Sequence, residues 1–96
     1  MTTATIENLR GSLERVTIPA AIWEGKAILS AGVTLEGLYR GPRTGRMFAR
    51  YYSIWERRDG SGLVEGESYN ELDAQSYLRL CRVADVEPVG VQSEAA

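Results

Sequence analysis

The sequence predicts an α+β fold: a small single domain with two N-terminal helices, a three-stranded antiparallel meander and a C-terminal helix packed on one sheet face. Three observations predict it. Apolar residues recur at helical spacing up to about residue 31. Aromatic and β-branched residues then gather in three runs separated by glycine-containing turns. An amphipathic stretch follows Asp73. A chain of 96 residues buries roughly two-thirds of its unfolded surface, enough for one core. The expectation is one domain over 1–96 with frayed ends at 1–4 and 92–96.

In residues 6–16, Ile6, Leu9, Leu13 and Val16 fall on one helical face, with Gly11 weakening the helix by up to ~1 kcal/mol relative to alanine. Pro19 suits the first turn of a second helix, whose stripe runs Ile18, Ile22, Gly25 and Leu29 to a stop at Gly32. Three strand runs follow, at 33–40, 46–57 and 63–69. The separators Gly41-Pro42-Arg43-Thr44-Gly45 and Asp59-Gly60-Ser61-Gly62 are connectors that join antiparallel strands. Both faces of the middle run are apolar, as in a central strand. A helix is its rival, because Phe48, Tyr51, Tyr52 and Trp55 also match i, i+3, i+4, i+7; the bounding turns favour the strand. Asp73 is a good N-cap for a helix burying Ala74, Tyr77, Leu78 and Cys81. Val86 to Val91 reads as a short edge strand, since Pro88 excludes a central one.

Several activities lack their residues. The chain has no histidine, which removes Ser-His-Asp and Cys-His catalysis. The single cysteine, Cys81, can neither close a disulfide nor build a thiolate cage, and reads as a small buried hydrophobe. No phosphate loop surrounds the sole lysine, Lys26. The Asp59-Gly60-Ser61-Gly62 cluster lacks the spaced acids of a calcium loop. Glu65 and Glu67 share a strand face about 7 Å apart, where a solvated surface is the commoner role of such acids. The expectation is a non-enzyme without cofactor or metal. Apolar runs reach only four or five residues, and no basic, apolar leader opens the chain, so a cytoplasmic location without membrane contact is expected.

The net charge of −2 conceals an asymmetry. Residues 40–58 carry a local balance of +5, and the remainder sums to −7. Five of the eight aromatics, Tyr39, Phe48, Tyr51, Tyr52 and Trp55, lie in or beside that basic stretch. Arginine with aromatics is a composition enriched at binding hot spots. The candidate partner-binding residues are therefore Arg40, Arg43, Arg46, Arg50 and Tyr51, with Glu65 and Glu67 on the acidic side. Arg50 also suits a cross-strand pair with Glu65 or Glu67. Arg43 and Arg46, on a turn with no local acid, are the foremost candidates to face a partner.

These features suit a small module that binds another protein by occupying its surface. The acidic patches suit basic surfaces such as those of nucleic-acid-binding complexes. Phage and mobile-element inhibitors of host defence complexes, anti-CRISPR inhibitors among them, are similar in size and style. A homodimer through an edge strand is a further expectation. Residues Ala31 to Arg40, AGVTLEGLYR, resemble the turn and second helix of helix-turn-helix repressors of the TetR type, where a GV[ST]…LY pattern recurs. That resemblance implies the alternative, a DNA-binding regulator using residues 20–40. It departs from the pattern at Glu36 and Gly37, and the negative net charge opposes the electrostatic attraction that drives DNA affinity, so direct nucleic-acid binding is the weaker expectation.

Overall fold

The computed structural model describes residues 2–18, 21–41 and 43–88. The described chain is strand-rich: β1 (Thr2–Glu7), β2 (Leu13–Ile18), β3 (Ala21–Ser30), β4 (Val33–Arg40), β5 (Met47–Glu56) and β6 (Leu63–Leu72), then α1 (Ala74–Ala84). The strands form one sheet in the order β2-β1-β6-β5-β4-β3. It is mixed, because β1 runs parallel to β6 while every other neighbour is antiparallel.

This architecture corrects the sequence-based fold. The two expected N-terminal helices are not formed, and the three expected strand runs belong to a six-stranded sheet rather than a free-standing meander. In residues 6–16 a turn replaces the helix. The Asn8 side chain accepts the backbone N–H groups of Arg10 and Ser12, each at 3.0 Å, and Gly11 takes φ 84°, a value glycine adopts without a Cβ penalty. Leu9 and Leu13, half of the supposed helical face, are exposed. The buried residues alternate instead, with Ile6 on β1 and Ile18 on β2. Thr2 to Ala4, expected to fray, pair with Ile18, Thr17 and Val16.

Residues 21–30 misled for a different reason. The β3–β4 register shifts three times, so inward residues of β3 do not keep a period of two. The same hairpin removes the structural basis of the helix-turn-helix alternative: residues 31 and 32 form a turn and 33–40 a strand. Beyond α1, residues 86–88 form no strand; the rest of that expected edge strand, and the tail at 92–96, lie outside the described residues.

The sheet is rolled. Only residues 19 and 20 separate β2 from β3, yet these strands occupy opposite edges. Six flat strands would hold the edges about 24 Å apart, whereas three Cα steps reach at most about 11 Å. The edges must therefore curl toward each other at that end. Inside the curl, Ile6, Ile18, Tyr39 and Phe48 form one buried cluster drawn from four strands. On the convex side, α1 lays Tyr77, Leu80 and Cys81 over Leu35, Leu38, Met47, Ala49 and Leu72. Strand β5 feeds both clusters by alternation, Phe48 inward and Met47 and Ala49 toward the helix. The helix stripe is thus Tyr77, Leu80 and Cys81, with Leu78 only half buried. Asp73 caps it, its Oδ1 accepting the Ser76 N–H at 2.7 Å. No helix among the described residues is long and apolar enough to cross a membrane.

Candidate protein-interaction surface

Strands β5 and β6 pair without a register shift over ten residues, from Met47↔Leu72 to Glu56↔Leu63. The right-handed twist of such a ribbon draws together diagonal neighbours as well as register partners. On the concave face, Arg50 sits opposite Tyr69 but reaches Glu67, and Tyr52 sits opposite Glu67 but donates its hydroxyl to Glu65. The same offset places Ile54 diagonal to Leu63. Toward its tip the concave face of the ribbon sets Ile54 and Leu63 beside Glu65 and Glu56.

Arg46 is engaged within the chain. Its Nε and Nη2 donate to the two Glu71 oxygens at 3.1 and 2.9 Å, and its Nη1 and Nη2 donate to Glu14 at 3.1 and 2.9 Å. The guanidinium also lies 5.3 Å from the Phe48 ring centroid, within cation–π range. It clamps the β1–β2 hairpin to the β5–β6 ribbon. The hydrogen bonds to Glu71 and Glu14 raise the Arg46 pKa well above its ordinary value. The Arg46 hydrogen bond likewise holds the Glu14 carboxyl below the usual glutamate range. A shallow depression of about 380 Å³ beside the clamp is lined by Asn8, Leu9, Arg10, Glu14, Arg46 and Glu71. The acids that neutralise Arg46 come from 32 and 25 residues away, which is why no local acid betrayed them.

The other predicted residues separate. Arg50 is half-buried, 3.9 Å from both Glu24 and Glu67, and donates to the Glu36 carbonyl at 3.4 Å. Tyr51 lies on the convex side, half-buried against the helix-covered core; burial raises its pKa, opposed by the charge of Arg79. Arg40 is half-buried at the end of β4, and Arg43 is exposed on the turn. The structure brings only Arg50, Glu65 and Glu67 together, and there the acids outnumber the base.

What remains open is the far end of the concave face. Ile28 is 80% exposed and Leu63 71%, with Ile54 also exposed and Tyr52 half-buried between them. The Tyr52 hydroxyl donates to Glu65 and feels the charges of Glu36 and Glu67. The hydrogen bond to Glu65 is the first cause of its raised pKa, followed by burial and the charges of Glu65, Glu36 and Glu67. Among the described residues no group of three or more His, Cys, Asp or Glu could hold a metal ion. On the convex side Trp55 is also exposed, its ring 3.6 Å from where a Gly66 Cβ would stand. Sequence reasoning missed Ile28, Tyr52, Ile54, Leu63 and Glu36. The alternation Phe48, Arg50, Tyr52, Ile54 was the signal available for two of them.

No family model and no solved structure matches this chain. A 40-residue stretch, 42% of the chain, is 38% identical to part of a lysophospholipid acyltransferase from Schizosaccharomyces pombe. The chain spans 8% of that protein's length, too little to show a family.

Proposed function

We propose that this chain is a non-catalytic protein-interaction module that acts by surface occupation, through the far concave face around Ile28, Tyr52, Ile54 and Leu63. The supporting observation is the division of charge and apolar surface. Arg46 and Arg50 are engaged within the chain, whereas apolar side chains at the ribbon tip stand in solvent beside carboxylates. Apolar anchors ringed by polar groups are the anatomy of interaction surfaces. Covering the exposed part of Leu63 is worth about 1–2 kcal/mol.

The test places a photo-crosslinking amino acid, p-benzoylphenylalanine, at Ile54 in the host cell, with Thr17 on β2 as the comparison position. Adducts to one defined protein from position 54, absent from position 17 and lost when Leu63→Asp is added, are the expected result. Equal labelling from both positions, or none from 54, refutes the proposal.

A further inference from the structure

Strand β6 is covered on its outer edge for only part of its length. β1 pairs with it at Tyr69 and Asn70, and among the described residues no strand pairs with residues 63–68 on that side. The hydrogen-bond phase shows which backbone groups are left. Arg57 donates its N–H to the Gly62 carbonyl at 2.9 Å, and Ile54 donates its own away from β6, to Gly32 at 2.8 Å. Antiparallel pairs alternate between hydrogen-bonded and non-hydrogen-bonded. With 57 and 62 bonded, the pairs 56/63, 54/65 and 52/67 are not. The N–H and C=O groups of Leu63, Glu65 and Glu67 therefore point outward, and the same alternation sends those of Tyr69 toward β1, where the pairing is found. Their side chains lie on the concave face, beside Ile54 and Tyr52.

An unshifted edge with three outward donor–acceptor pairs is a template for strand addition. The third edge-forming strand, β3, is blunted by its three register shifts. On β2, the Glu14 side chain is committed to Arg46. Charge selects the occupant. Every second residue of an added strand would fall beside Leu63, Glu65 and Glu67. Arg50 is the cation within this group, while Arg57 and Arg58 lie past the end of β5. A second copy pairing antiparallel through this edge would set its own glutamates against Glu65 and Glu67, and like charges directly opposite are destabilising.

Resting on the interaction-module reading above, we propose that the partner contributes an extended cationic segment that adds as a further strand to the outer edge of β6 between Leu63 and Ser68, with Lys or Arg at alternate positions facing Glu65 and Glu67.

The test uses fluorescently labelled synthetic hexapeptides on the full chain, read by anisotropy at 50 and 300 mM salt: (Lys-Val)3, (Glu-Val)3, and (Lys-Val)3 N-methylated on alternate backbone amides in either phase. The expected result is saturable binding of (Lys-Val)3 that weakens at least threefold at the higher salt. Both (Glu-Val)3 and one N-methyl phase should bind at least tenfold more weakly. The Glu65→Lys/Glu67→Lys protein, with an unchanged circular dichroism spectrum, should reverse the charge preference. Equal binding of both N-methylated forms refutes strand addition, and binding indifferent to peptide charge refutes the cationic occupant. Concentration-dependent dimerisation abolished by Glu65→Lys would assign the edge to a second copy and likewise overturn the proposal. No peptide binding, with position 54 still crosslinking its partner, sinks this inference alone; loss of that crosslink sinks the module reading itself.

Discussion

Ile6, Leu9 and Leu13 would be equivalent residues on one helical face, and the rolled sheet makes them unequal. Ile6 is 0% exposed, packed in the concave cluster and paired with Tyr69, whereas Leu9 and Leu13 are 60% and 74% exposed. Truncating a fully buried isoleucine to alanine costs about 2–5 kcal/mol, the transfer energy plus the cavity left behind. The site offers little room to collapse, because Ile6 is held between paired strands, so about 3 kcal/mol is the working value. For a domain of this size each kcal/mol shifts Tm by roughly 4–8 °C, giving a fall of about 12–24 °C for Ile6→Ala. Leu9→Ala and Leu13→Ala should stay within about 0.5 kcal/mol of the parent. Urea unfolding followed by tryptophan fluorescence and far-ultraviolet circular dichroism measures all three. Comparable losses at the three positions would refute the strand assignment and restore a helical face.

Three further outcomes follow from the geometry. Gly37→Ala should lose about 1–3 kcal/mol, because its Cβ would stand 2.5 Å from the hydroxyl and 2.8 Å from the ring of buried Tyr39; Gly66→Ala, 3.6 Å from Trp55, should be nearly neutral by the same melt. Arg46→Met should cost about 1–3 kcal/mol at pH 7 by stranding the largely buried Glu71 carboxylate. Because Arg46 lowers the Glu14 pKa, that part of the stability is complete above the ordinary glutamate value and is lost as pH falls through the lowered one; the Tm gap to the parent should narrow toward pH 3. Burial, with the Glu24 hydrogen bond and against the opposing charge of Arg50, pushes Tyr39 up to about 12. An unfolded tyrosine ionises near pH 10, so stability is intact below that and declines as pH rises toward 12. Tyr39→Phe should flatten this alkaline limb of the urea midpoints.

The legible parts of the sequence were those written locally. Turn chemistry at 41–45 and 59–62 and the Asp73 cap depend on neighbours in the chain, and each sits where its residues indicate. The first thirty residues were not legible, because a short hairpin can imitate a helical stripe. Leu9 and Leu13 stand at helical spacing from Ile6 yet flank an Asx-supported turn. The pairing of the charges was illegible for the opposite reason. Arg46 has no acid near it in sequence, and its partners, Glu14 and Glu71, arrive only when β2 and β6 are brought to the same side of β5. Glu67 was foreseen beside Arg50 because a meander places it there; nothing local foretold Glu24 or Glu36.

The parallel pairing of Ile6 with Tyr69 has a consequence for synthesis. These residues lie 63 positions apart, and β1 has no other neighbour than its own hairpin partner. At roughly 5–20 residues per second on the ribosome, the first hairpin, complete at Ile18, waits about 3–10 s before its docking strand exists. During that interval Ile6 and Ile18 have no buried site to enter, and a nascent chain this dependent on distant pairing folds late rather than as it emerges.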